Sequence, residues 1–180
     1  MLLNINPANP QRRLVARVAQ ILKNGGVATY ATDTFYGIGS DITNKKAIEK
    51  IYQHKQRDKK KPISFMCSDL KNISRYATVS NYAYKTMKRL LPGPYTFVLE
   101  GSREVPKMML TRRKTAGIRV PNHALCIALV HELGNPILTT SATMPDGTVF
   151  EDASLIHDHF GGRLDVVIDS GPVTGTPSSV

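Results

Sequence analysis

Apolar positions along this chain repeat with two alternating periods. Leu14, Val15, Val18, Ile21 and Leu22 fall on one stripe at helical spacing, and Val27 to Ala31 then runs apolar almost without a break. The first pattern predicts a helix, opened by Asn9 as cap with Pro10 at its first position and closed by Gly25-Gly26. The second predicts a buried strand, followed by a polar turn at Thr32-Asp33-Thr34 and an extended continuation from Phe35 to Gly39. Asn44 caps a second helix with Ala47, Ile48, Ile51 and Tyr52 on one face. Pro62 to Cys67 is the next strand, and a polar connection follows it.

Ser80 or Asn81 begins a helix carrying Tyr84, Met87, Leu90 and Leu91, which Pro92-Gly93-Pro94 ends. Tyr95 to Leu99 is a strand, Arg103 to Lys114 a looser basic segment, and Gly117 to Pro121 a short strand. Asn122 caps a helix with Leu125, Ala128, Leu129 and Leu133 inward and Gly134 at its end. Pro136 to Thr140 is a strand that enters the small-residue turn Ser141-Ala142-Thr143. Asp152 to Phe160 is a short helix and Leu164 to Ile168 a strand. Helices and strands alternate with no internal repeat and no linker, which predicts one α/β domain over residues 1–180: an open mixed sheet with flanking helices. Pro177-Ser178-Ser179-Val180 reads as the beginning of another strand, so the C-terminus is expected to be incomplete.

Charge changes the picture more than composition does. Of 180 residues, 41% are apolar and 21% charged, as in ordinary globular proteins, yet the formal net charge is +10. That excess points to anionic partners: nucleotides, nucleic acid or an acidic surface. A membrane is the weakest of these, since no apolar run approaches the roughly 20 residues of a spanning helix. The N-terminus lacks the pattern of a secretory signal, and two isolated apolar cysteines, Cys67 and Cys126, fit a reducing cytoplasm better than a disulfide framework. No Cys/His spacing resembles a metal site. The densest charge lies in Lys55-Gln56-Arg57-Asp58-Lys59-Lys60-Lys61, on the way into a strand, where α/β proteins tend to hold ligands.

Common nucleotide signatures are absent. No Gly-rich loop ends in Gly-Lys-Ser/Thr, and Gly37-Ile38-Gly39 lacks the third glycine of a dinucleotide fingerprint. Neither Gly-x-Ser-x-Gly nor a convincing Cys/His arrangement supports nucleophilic hydrolysis. What remains is a set of polar residues at strand ends. Lys55 and Arg57 suit an anion, Arg through its planar fork and Lys as a mobile point charge. Thr34, Thr115, Arg119, Thr139, Ser141 and Thr143 supply hydroxyls and one further cation near strand ends.

The order and wording of these pieces resemble the YrdC/YciO family. The match is carried by Thr32-Asp33-Thr34-Phe35-Tyr36-Gly37, Lys55-Gln56-Arg57, Leu91-Pro92-Gly93-Pro94-Tyr95-Thr96, Gly117-Ile118-Arg119-Val120-Pro121 and Thr140-Ser141-Ala142. Members of that family that are threonylcarbamoyl-AMP synthases combine L-threonine, bicarbonate and ATP and release pyrophosphate, for a modification at position 37 of tRNA. The resemblance therefore implies a twisted open sheet with a concave electropositive face. It also implies ATP and tRNA-modification proteins as partners; Mg2+ is expected with ATP, and since no clustered carboxylates mark a protein-held metal the ion would arrive on the nucleotide. Lys55 and Arg57 would be catalytic and hold the phosphates. Lys61, Thr115, Ser141 and Thr143 would lie near the nucleotide. Thr34, Arg119, Thr139 and Ser178 would face threonine or its carbamate.

Departures from the synthase pattern pull toward the YciO branch. Ala31 replaces a proline, Lys61 an asparagine, Met66 a histidine near the threonine, and Thr143 the asparagine of Ser-Ala-Asn. Another arginine expected at the nucleotide would lie beyond Val180. A second reading of the same charge is a module for double-stranded RNA or tRNA, with Lys45 to Lys61 and Arg112-Arg113-Lys114 on phosphates; a third is a fold that has lost its activity.

Overall fold

The computed structural model describes residues 1–54, 63–144 and 146–180. Among them eight strands form one mixed sheet. In chain order the elements are β1 (Leu2–Asn4), α1 (Arg12–Lys23), β2 (Ala28–Tyr30), β3 (Gly37–Asp41), α2 (Lys45–His54), β4 (Ser64–Met66), α3 (Leu70–Tyr76), α4 (Asn81–Leu90), β5 (Phe97–Glu100), β6 (Thr115–Arg119), α5 (Ala124–Leu133), β7 (Ile137–Ser141), α6 (Ala153–Phe160) and β8 (Val166–Asp169). Across the sheet the order is β1-β8-β2-β3-β7-β4-β6-β5. β8 lies parallel to both β1 and β2, and β4 lies parallel to β6; the other pairings are antiparallel.

Alternation along the strands divides the core in two. Ile38, Phe65, Ile118, Leu138 and Val167 point to one face and pack with α2, α3, α6 and Met87 of α4. Met66, Ile137, Val166 and Ile168 point to the other, under the apolar sides of α1 and α5. A strand covered on both faces has no reason to alternate apolar with polar, which is why these segments read as continuous apolar runs.

Local signals account for most element boundaries. Asn44 Oδ1 accepts from Ala47 N at 3.1 Å, Ser80 Oγ from Ala83 N at 3.1 Å and Asp152 Oδ1 from Ser154 N at 2.7 Å, each opening the helix behind it. Gly134 closes α5 at φ +79°, where a side chain would be strained. Two expected caps act elsewhere. Helix α1 starts after Gln11, because Asn6 Oδ1 takes the Ala8 and Asn9 amides and turns the chain earlier. Helix α5 starts after His123, because the Asn122 amide donates to Asp33 Oδ2 at 2.9 Å.

The connection expected after β4 contains α3, capped by Asp69 Oδ1 on Asn72 N at 2.6 Å. Of the stripe expected on α4, only Met87 is buried; Tyr84 is exposed. No helix among the described residues is long and apolar enough to cross a membrane.

Candidate functional site

One face of the sheet changes character along its strands. Under α1 and α5 it is apolar, with Met66 of β4 opposite Ile137 of β7. Two residues along the same face, Ser64 stands opposite Thr139, and Gly37 opposite Ser141. These small and hydroxylated positions lie beyond the helices, and they floor a cavity of about 130 Å³ that opens to solvent. Glycine deepens it. A Cβ on Gly37 would come within 3.1 Å of both Thr139 Oγ1 and the Tyr30 ring, and one on Gly117 within 2.7 Å of Ser64 Oγ.

The wall above the floor is built by the turn after β2. Thr32 Oγ1 donates to Phe35 O at 2.6 Å and accepts from Thr34 N at 3.1 Å, so this hydroxyl folds the turn and presents Thr34. Arg119, at the end of β6, donates from Nη2 to Asp33 Oδ1 at 3.0 Å and to Thr34 Oγ1 at 3.2 Å. The ion pair is nearly closed off from water, with side-chain exposures of 11% for Arg119 and 9% for Asp33. Arg119 Nε is buried with no hydrogen-bond partner among the described residues. A guanidinium held on one edge by Asp33 and carrying an unpaired donor is poised for an anion or carbonyl oxygen.

The last wall comes from the far end of the chain. Ser179 N donates to Pro94 O at 3.1 Å and Thr96 N to Ser179 O at 2.8 Å, laying the tail beside Tyr95. This places the Ser178 and Thr96 hydroxyls 3.0 Å apart at the cavity. Gly175 crosses directly over the Thr34 carbonyl, where a side chain has no room. The described lining is thus Ser and Thr hydroxyls around one guanidinium, with no carboxylate facing in.

Of the positions singled out from sequence, Thr34, Arg119, Thr139, Ser141 and Ser178 meet at this cavity. Thr115 and Thr143 do not line it. Thr115 sits at the opposite end of β6 from Arg119, its hydroxyl 2.7 Å from that of Thr111, and Thr143 bridges Val149 in the next turn. Lys55, Arg57 and Lys61 lie outside the described residues; Ile63 and Ser64, which follow that segment, line the cavity. Thr32, Ser64, Thr96 and Thr140 also line the cavity, although sequence reasoning assigned them no role. The signal for Ser64 was a lone hydroxyl in an otherwise apolar strand. Met66 is buried among α1 and α5 residues.

Other chemistry finds little support. Cys67 and Cys126 are free and buried, and burial pushes both thiols well above their ordinary range; Cys126 Sγ donates to Ala31 O at 3.2 Å. Neither can supply a thiolate near neutral pH. Among the described residues no group of three or more His, Cys, Asp or Glu is placed to hold a metal ion.

Comparison with known proteins agrees with this fold. Residues 20–180 match the profile of the Sua5/YciO/YrdC family, described as "Telomere recombination". The chain is 39% identical over 178 residues to the Escherichia coli K12 protein called "Uncharacterized protein YciO", covering 98% of this chain and 86% of that one. The crystal structure of E. coli YciO superposes with a TM-score of 0.93 over 99% of this chain and 87% of its own, at 38% identity. Identity to the threonylcarbamoyl-AMP synthase of Mus musculus is lower, 31% over 182 residues, covering 97% of this chain and 63% of that protein. Sua5 of P. abyssi, crystallised with L-threonine, has the same fold at 24% identity, with a TM-score of 0.92 over 99% of this chain and 53% of its own. The chain belongs to the Sua5/YciO/YrdC family.

Proposed function

We propose that the cavity binds ATP, bicarbonate and L-threonine and forms threonylcarbamoyl-AMP with release of pyrophosphate, feeding threonylcarbamoyladenosine modification of tRNA. The observation that carries this reading is the lining itself: among the described residues, hydroxyls and one guanidinium with no inward carboxylate, and a lining that resumes two residues after Lys61. Such a site suits a substrate rich in phosphate and carboxylate oxygens. Family membership and relatives named threonylcarbamoyl-AMP synthase support it.

Adenylation needs little covalent help from protein, but it needs cations and donors fixed around the moving phosphorus. Lys55 and Arg57 take the phosphates and stabilise charge on the departing pyrophosphate, with Lys61 beside the nucleotide and Mg2+ arriving on it. Ser141 contacts the nucleotide. Arg119 meets the threonine carboxylate, with Thr34, Thr139 and Ser178 around the amino acid and its carbamate.

Pyrophosphate release from ATP, measured with each co-substrate omitted in turn, tests the proposal. Turnover should require both threonine and bicarbonate, and Arg57→Ala should lower it about 100-fold or more. Turnover unaffected by that substitution contradicts the assignment.

Identity to YciO, 39%, exceeds the 31% identity to the mouse synthase and favours a second reading. On that reading the cavity takes a nucleotide or another phosphate compound and does not select threonine. AMP binding that is indifferent to threonine would favour it.

A further inference from the structure

The positive charge of the chain is not spread evenly. Residues 70–114 hold ten of the 24 lysines and arginines and only two carboxylates, Glu100 and Glu104. The remaining 135 residues are close to balance, with 14 cations against 12 carboxylates. All ten cations are exposed, and none lines the cavity. Of these ten, only Arg75 has an ion-pair partner among the described residues, Glu104, at 3.6 Å.

The segments that carry them adjoin the β5 edge of the sheet. Helix α3 packs on α4. Ala77, just after α3, bridges Gly101, whose amide donates to Lys114 O at 2.8 Å, and Ser102 Oγ donates to Arg75 O at 2.9 Å. The end of α3, the start of the 101–114 segment and its closing turn therefore form one corner.

Helix α4 gives that corner a chemistry beyond charge. It buries only Met87, and its outer side carries Tyr82, Lys85, Lys88 and Arg89 around an open depression. Tyr82 is 82% exposed. Tyr82, Lys85 and Arg89 follow helical spacing, so an aromatic ring and two cations share one stripe. We propose that this corner is a docking surface for RNA with unpaired bases, separate from the cavity. Lys85, Lys88 and Arg89 hold backbone phosphates, and Tyr82 stacks on a base. Cations interleaved with an exposed ring are what single-strand binding uses. A membrane surface fits less well, because the outer side of α4 lacks the continuous apolar face that an interfacial helix inserts.

The test is the affinity of the full chain for a short labelled single-stranded RNA, for the same sequence as a duplex, and for anionic phospholipid vesicles. Binding to the single strand should exceed the other two and fall steeply between about 50 and 200 mM salt. Lys85→Glu/Lys88→Glu/Arg89→Glu should weaken it by at least about ten-fold and flatten the salt dependence, and Tyr82→Ala should weaken it about five-fold at unchanged salt slope. If the triple variant fails to fold, Lys85→Glu and Arg89→Glu taken singly carry the test. Native affinity in the charge variants overturns the proposal, as does duplex or vesicle binding equal to that of the single strand. ATP turnover should be unchanged in all of these variants, which separates this surface from the cavity.

Discussion

Asp33 uses both of its carboxylate oxygens, one on the Arg119 guanidinium and one on the Asn122 amide. Its removal leaves a charge with almost no water around it, so Asp33→Ala should lower stability by about 3 kcal/mol, and Arg119→Met, which strands the buried Asp33 carboxylate in turn, should cost a similar amount. Urea unfolding of the two variants checks this; equal stability of Asp33→Ala and the native chain contradicts it.

Two histidines behave oppositely to a salt-bridged cation. Burial lowers the pKa of His123, and burial with the neighbouring Arg163 and Lys50 lowers that of His54. The folded state therefore resists protons that the unfolded chain accepts. Stability should be full above the unfolded pKa of about 6.5 and decline as pH falls below it toward the folded values. The double variant His54→Gln/His123→Gln should show a shallower decline in the same unfolding experiments. At this scale much of the cavity was legible: Thr34, Arg119 and Ser141 stood in short motifs, Thr139 at a strand end and Ser178 through the family resemblance, and all five converge in space. Asp33 and Thr96 stood in the same motifs but were assigned no role, because their importance lies in partners more than eighty positions away.

Strand β3 illustrates what an element can hide. A Cβ at Gly39 would collide with the Tyr30 hydroxyl and lie 2.5 Å from Leu138 O, while one at Gly37 would meet only side-chain atoms of Thr139 and Tyr30, near 3.1 Å. Gly39→Ala should thus destabilise by about 2–3 kcal/mol through backbone crowding. Gly37→Ala should fold well and bind nucleotide weakly, because it raises the cavity floor. Thermal melts together with AMP titration separate the two, and equal melting temperatures would contradict the steric account. Helices with strong caps, such as α2 and α6, were readable from sequence. Helix α3 was not, since seven residues give too little periodicity, and the caps assigned to Asn9 and Asn122 failed because tertiary or earlier local hydrogen bonds claimed those segments.

At the scale of the molecule, alternating helices and strands were enough to indicate a mixed α/β sheet. The strand order was not readable. β8 inserts between β1 and β2, and the tail returns to Tyr95, pairings that carry no local signature and are settled by which apolar faces remain to be covered. The cavity depends on them. Its floor comes from β3, β4 and β7, and its walls from β6, the turn after β2 and the chain's last residues. The measurement that tests its role most directly is mass analysis of a reaction containing ATP, L-threonine and carbon-13 bicarbonate. The account predicts an adenylate containing threonine and the labelled carbon, formed only when all three substrates are present and lost in Arg57→Ala. ATP or AMP binding without that product would contradict it.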